Sequence, residues 1–199
     1  YCFNLPRIYT MKFPLPALAF SFLLLTLVAT QCSNSGLGAI KKRTNDSTEI
    51  AKLDTVKLTD TFFDNLCISA IKRTFISETY DGSYRVLKYP GGDVPDSIGV
   101  CTDLVIRAYR KLNIDLQKLI HEDMKKAFSE YNKRRKSDRI DRNIDHRRTP
   151  NMQTFLTRKK ANKPVTKNPE DYQPGDLVFW DVANGHVGIV VNIKTPDKK

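Results

Sequence analysis

The pairing of two apolar runs, Asp176–Asp181 and His186–Ile193, across Asn184-Gly185 constrains this chain more than any other feature. Asn-Gly is the dipeptide a tight hairpin turn asks for, because both central positions need positive φ. Runs joined in this way predict neighbouring antiparallel strands. His186, Gly188 and Val190 then point to one face, and Val187, Ile189 and Val191 to the other. His186 therefore opens a strand, and Gly188 leaves room on the same face for a close neighbour.

Upstream the periodicity is helical. Leu53, Val56, Leu58, Phe62, Phe63, Leu66, Ala70 and Ile71 predict one or two amphipathic helices ending near Thr74, with Cys67 in the core. Residues 80–99 carry Asp81-Gly82, Tyr89-Pro90-Gly91-Gly92-Asp93 and Val94-Pro95, a loop zone dominated by turn formers. From Cys101 to Leu112 the pattern is helical again, with Leu104, Val105, Ala108 and Leu112 inward, Cys101 on the same side, and Arg107, Arg110 and Lys111 outward. A second helix is expected over Leu116–Tyr131, a loop over Asn143–Pro150, a short helix over Asn151–Lys160 and a polar connector over Pro164–Pro174. The fold class is α+β, with helices packed on a small antiparallel sheet. No internal repeat is visible.

Between Phe13 and Ile40 there is no charged residue, and Leu15–Ala29 is almost wholly apolar behind Lys12. Such a stretch reads as a secretory signal starting at Met11, which makes residues 1–10 an upstream extension. An uncleaved membrane anchor is the alternative, although the run is near the short end for a bilayer span. The chain then divides into residues 1–32 (extension and signal), residues 33–50 (a tether rich in Ser, Asn, Thr, Gly and Lys) and residues 51–199 (one domain). Either way the body is expected outside the cytoplasm, in the periplasm or cell envelope. Cys32 stands where a lipoprotein signal would place its acylated cysteine, yet Gln31 fills the preceding position, where a small residue is preferred. Membrane association through an anchor or a lipidated Cys32 stays open.

The formal charge is +11, with much of the excess between Lys125 and Arg148. A basic patch attracts polyanions. In an exported chain these are wall polymers and lipid head groups, and no nucleic-acid-binding motif accompanies the run. A solvated basic face is the simpler reading. His121-Glu122-Asp123 reads as a helix surface, because the histidine spacing matches no familiar zinc pattern. There is no glycine loop for a phosphate either, so neither a metal nor a cofactor is expected.

With Cys2 and Cys32 in the leader, Cys67 and Cys101 are the cysteines of the body, and in an oxidising compartment they are able to pair with each other. Local chemistry favours a different use for Cys101. It follows Gly99-Val100 and starts a helix, where unpaired N–H groups and the positive end of the dipole favour an anion. A thiolate so placed is a nucleophile for an amide carbonyl, and the same N–H groups can hold the oxyanion that forms. Asp103, two residues on, complements the dipole. Asp145, His146, Arg147 and Arg148 form a polar loop in which a substrate carboxylate can meet Arg147 or Arg148 in bidentate fashion; a salt-bridge network is the alternative.

Pro174-Gly-Asp-Leu-Val-Phe-Trp180 followed by Gly185-His-Val-Gly-Ile-Val190 resembles the strand pair of the NlpC-type cell-wall peptidases, papain-like enzymes in which a cysteine starts a helix and a histidine starts a later strand. Four further segments, Tyr89–Pro95, Gly99–Tyr109, Ile114–Met124 and Asn143–Arg148, resemble a bacterial family catalogued as domain of unknown function 1287, over about residues 55–193. The resemblance implies a papain-like fold with Cys101 as nucleophile and His186 as base, acting on cell-wall peptides or muropeptides as a monomer. It also implies a third polar residue on the strand after the histidine strand, where a His-Asn pair is expected. The sequence stops at Lys199 before any such pair, so the domain reads as truncated at its C-terminal strands, with stability lowered by the open sheet edge. Three functions follow: an exported cysteine amidohydrolase or peptidase; an inactive envelope protein that binds wall peptides or a partner; and an acyl transferase using the same Cys–His pair.

Overall fold

The structure is a computed structural model and describes residues 7–11, 61–76, 78–132, 139–182 and 185–192. The apolar run, Cys2, Cys32, the tether and Asn184 lie outside the described residues. In chain order the elements are β1 (Ile8–Met11), α1 (Phe62–Thr74), β2 (Thr79–Tyr80), β3 (Ile98–Gly99), α2 (Cys101–Arg110), α3 (Leu116–Lys126), α4 (Phe128–Asn132), a 3-10 turn (Asp145–Arg147), α5 (Thr149–Arg158), a second 3-10 turn (Pro169–Asp171), β4 (Leu177–Trp180) and β5 (His186–Ile189). The protein is α+β, with five helices around a small sheet among the described residues.

Helices α1 and α3 start where a side chain satisfies their first amides. The Thr61 hydroxyl accepts from the Asp64 N–H, and the Asp115 carboxylate from those of Gln117 and Lys118. At α2 the third residue does the work in reverse: Asp103 accepts the Val100 N–H at 2.7 Å. The inward faces build one core. Leu66 and Ala70 of α1, Val105, Ala108 and Tyr109 of α2, Leu116 and Ile120 of α3, and Met152, Phe155 and Leu156 of α5 close on Leu177, Phe179 and Val187 of the sheet. Burying such side chains contributes about 1.5–3 kcal/mol each, and their sum sets the packing.

The hairpin register pairs Trp180 with His186 and Leu177 with Ile189, antiparallel as the sequence predicts. The sheet as a whole is mixed rather than antiparallel, because β1 joins β4 in parallel, Ile8 opposite Leu177. Ile8–Thr10, expected in the upstream extension, and Met11, expected to start the signal, thus supply a strand. Ile8 is buried, and Arg7 grips Asp176 with two hydrogen bonds of 2.9 Å.

Two further differences concern the helices and the loop zone. Arg107, expected outward, is 5% exposed, and its guanidinium donates to the carbonyls of Val94, Pro95 and Ile98 and to Asp93 and Glu78. One buried cation thereby closes the loop that leads into Cys101. Within that loop zone β2 and β3 form a short parallel pair with Tyr80 opposite Gly99, and the Asp81 N–H extends it to the Gly99 carbonyl. The expected helix over Leu116–Tyr131 is interrupted at Ala127, giving α3 and α4.

Candidate active site

Helix α2 packs on α1, on β3 and on β5, which brings its first residue to the open end of the sheet. Cys101 there lines a cavity of about 680 Å³, together with Thr10, Tyr80, Arg147, Arg148, Thr149, Gln153, Phe179, Trp180 and Asp181 among others. Both cysteines of the described residues are free thiols, so no Cys67–Cys101 bridge forms. Cys101 is partly exposed, and its Sγ lies 3.7 Å from Thr149 Oγ1.

The β2–β3 pairing sets Tyr80 beside Val100 and Cys101. Its phenol is pushed above the usual range, first by partial loss of solvent and then by the Cys101 sulfur and the Asp103 carboxylate, which marks the hydroxyl as a neighbour of both. The ring body remains exposed on the cavity wall.

His186 does not line this cavity, although its neighbours Gly185 and Trp180 do. A Cβ placed on Gly185, the residue before it, would meet the Thr149 side chain at 3.1–3.2 Å, and Gly185 has a φ of +78°, so that position admits little else. Strand alternation buries Val187 with Phe179 and leaves His186 exposed across from Trp180. The imidazole lies against the indole, centroids 5.5 Å apart, and Trp180 in turn covers Gly188 as the bare face of that residue allows. No hydrogen bond joins His186 to Cys101 among the described residues.

The five expected substrate-binding residues separate into two groups. Asp103 and Arg147 form a buried fork: Arg147 Nε and Nη2 each donate at 2.9 Å to the two oxygens of Asp103. Arg147 spends its remaining donors on the carbonyls of Ser83 and Asp81. Asp145 is buried and its carboxylate ties the turn ahead of it, accepting from the Asp141 N–H at 2.6 Å. His146 is 3% exposed and outside the cavity lining; burial, then Arg147 and Arg110, holds its imidazole down at about 4, neutral at pH 7. These four hold the site's frame. Arg147 and Arg148 both line the cavity, and Arg148 differs in that its side chain donates no hydrogen bond to a described residue.

Tyr80, Thr149 and Trp180 are site residues that the sequence reading passed over. Tyr80 needed a two-residue strand pairing that carries no periodic signal. Thr149 ahead of Pro150 was a readable helix start, since proline favours the first turn, and α5 begins there rather than at Asn151.

With this geometry in place, comparison with known proteins identifies the family. Residues 67–199 match the domain of unknown function DUF1287. The chain belongs to this family. It is 52% identical over 130 residues to the uncharacterized protein YijF of Escherichia coli K12, an alignment covering 63% of each protein. The chain therefore spans about 63% of the length of the curated relative it matches. No solved structure matches it. Among the described residues no helix is long and apolar enough to cross a membrane.

Proposed function

We propose that this protein is an exported, cysteine-dependent amidohydrolase acting on cell-wall peptides, with Cys101 as nucleophile and a papain-like arrangement of the NlpC type. The observation that carries the reading is a free thiol on the first residue of α2, opening into a cavity that also holds Tyr80, Thr149 and Trp180. Cys101 Sγ attacks the amide carbonyl carbon, and His186 takes the thiol proton. The N–H groups of the first turn of α2 and the Tyr80 hydroxyl hold the oxyanion. The C–N bond then breaks, the amine leaves with the proton returned by His186, and water hydrolyses the thioester. For this the imidazole turns off Trp180 toward Thr149 and the sulfur, a tightening that substrate binding commonly brings to a free site.

Purified protein is expected to release peptides from wall sacculi, and Cys101→Ala to lower that rate by at least about 10³-fold. Equal release by the variant ends the reading. His186→Ala is expected to lower the release rate by about 10²-fold or more, read at a single pH. One observation favours a second reading, a wall-peptide-binding protein without turnover: His186 rests on Trp180, out of hydrogen-bond contact with Cys101. Peptide binding that survives with no release separates the two. Trapping of an added amine in the product identifies acyl transfer instead of hydrolysis.

A further inference from the structure

The candidate cavity presents two guanidinium groups that differ in one respect. Arg147 is spent on Asp103 and on two carbonyls. Arg148, the next residue, forms no ion pair among the described residues, and its Nε is buried without a hydrogen-bond partner. A buried donor on a charged group is costly to leave unpaired, and the residue that carries it lines the cavity that holds the candidate nucleophile. The carboxylate of Asp181 lines the same cavity on the β4 rim and does not pair with it. Arg148 is followed directly by Thr149, whose hydroxyl is 3.7 Å from the Cys101 sulfur. A carboxylate held by Arg148 is therefore attached close to the bond that Cys101 faces.

We propose that Arg148 is the carboxylate anchor of this site, so that the ligand is a peptide with a free carboxylate near the bond presented to Cys101. The free Nε edge of the guanidinium offers two parallel donors, a geometry that a carboxylate matches and a neutral amide does not. Asp181 opposes the reverse orientation, since it repels a carboxylate placed on its own side. The assignment rests on the thiol-hydrolase reading only for the identity of the ligand as a wall peptide.

The test uses the full chain carrying Cys101→Ala, so that binding is measured without turnover. Calorimetric titration compares a synthetic wall tetrapeptide bearing free carboxylates with the same peptide fully amidated. The acid form is expected to bind about tenfold or more tightly. Adding Arg148→Gln should remove that preference and leave the affinity for the amidated peptide unchanged, and Arg148→Lys should restore part of it, because charge returns without the fork. Equal binding of the two peptides, binding of neither, or a loss from Arg148→Gln that is the same for both overturns the proposal. If the preference is seen and wild-type protein releases nothing from sacculi, the anchor stands and the hydrolase reading falls. If wild type cleaves both peptides with one kcat/KM, and Arg148→Gln does the same, the reading stands and the anchor falls.

Discussion

Cys67 and Cys101 are both free thiols, carried by helices α1 and α2 that pack against each other, yet their surroundings are opposite. Cys67 sits inside α1, 3% exposed, with its sulfur directed at the Val190 carbonyl at 3.3 Å. Burial and the Asp64 carboxylate push its thiol up to about 11, against the pull of the Gly175 N–H. Cys101 is the first residue of α2, with helix amides not yet committed to carbonyls and a cavity in front of it. Apolar packing holds the first sulfur; the second is framed by a polar lattice of Asp103, Arg147 and the carbonyls of Asp81 and Ser83. A cysteine inside a helix face is a small hydrophobe, and one at a helix start beside a cavity is a reagent.

The contrast can be broken most severely at the polar lattice. Arg147→Met leaves Asp103 buried without its partner and is expected to cost about 3–5 kcal/mol in urea unfolding. A loss below about 1 kcal/mol would mean that the pair does not hold the start of α2.

A smaller effect, about a hundredfold, is expected in alkylation of the folded protein by iodoacetamide at pH 8, followed by peptide mapping. The lift of Cys67 from 9.0 to about 11 alone removes that much of its thiolate, so Cys101 should label first. Comparable rates would erase the distinction between the two sites.

The smallest effect belongs to Cys67→Ala, about 1 kcal/mol at pH 7 from the lost sulfur contacts and hydrogen bond. Its pH dependence has a definite sign. Because folding raises this thiol, the unfolded chain loses the proton first, and the stabilisation is present below pH 9 and lost as pH rises toward 11. The stability gap between wild type and Cys67→Ala should therefore narrow over that range. A gap that widens there contradicts the burial assigned to Cys67.

Much of this arrangement was legible in the residues themselves. The Asn184-Gly185 signal and period-two runs specified β4 and β5, and the apolar spacing specified α1, α2 and the core position of Cys67. These are local patterns, and local patterns survive into the fold because each element must bury its own apolar face. The candidate nucleophile was readable for the same reason, as a helix start is written in adjacent residues. For Asp145, His146 and Arg147 a salt-bridge network was one of two readings, but its partner Asp103 was not legible, since charge in a sequence does not reveal whether a partner waits 44 residues away.

What only the tertiary structure decided is which groups share the cavity. Tyr80 arrives there through a two-residue pairing with Gly99, and Thr149 through the packing of α5 beside Gly185. Arg147 is consumed by Asp103, while the Arg148 Nε finds no partner among the described residues. The chain determined its elements and the chemistry of its one helix-starting thiol, because propensity, turn formation and amide capping act over a few residues. It did not determine partners, because ion pairs and cavity walls are set by distances in space, and those follow from how the whole core closes.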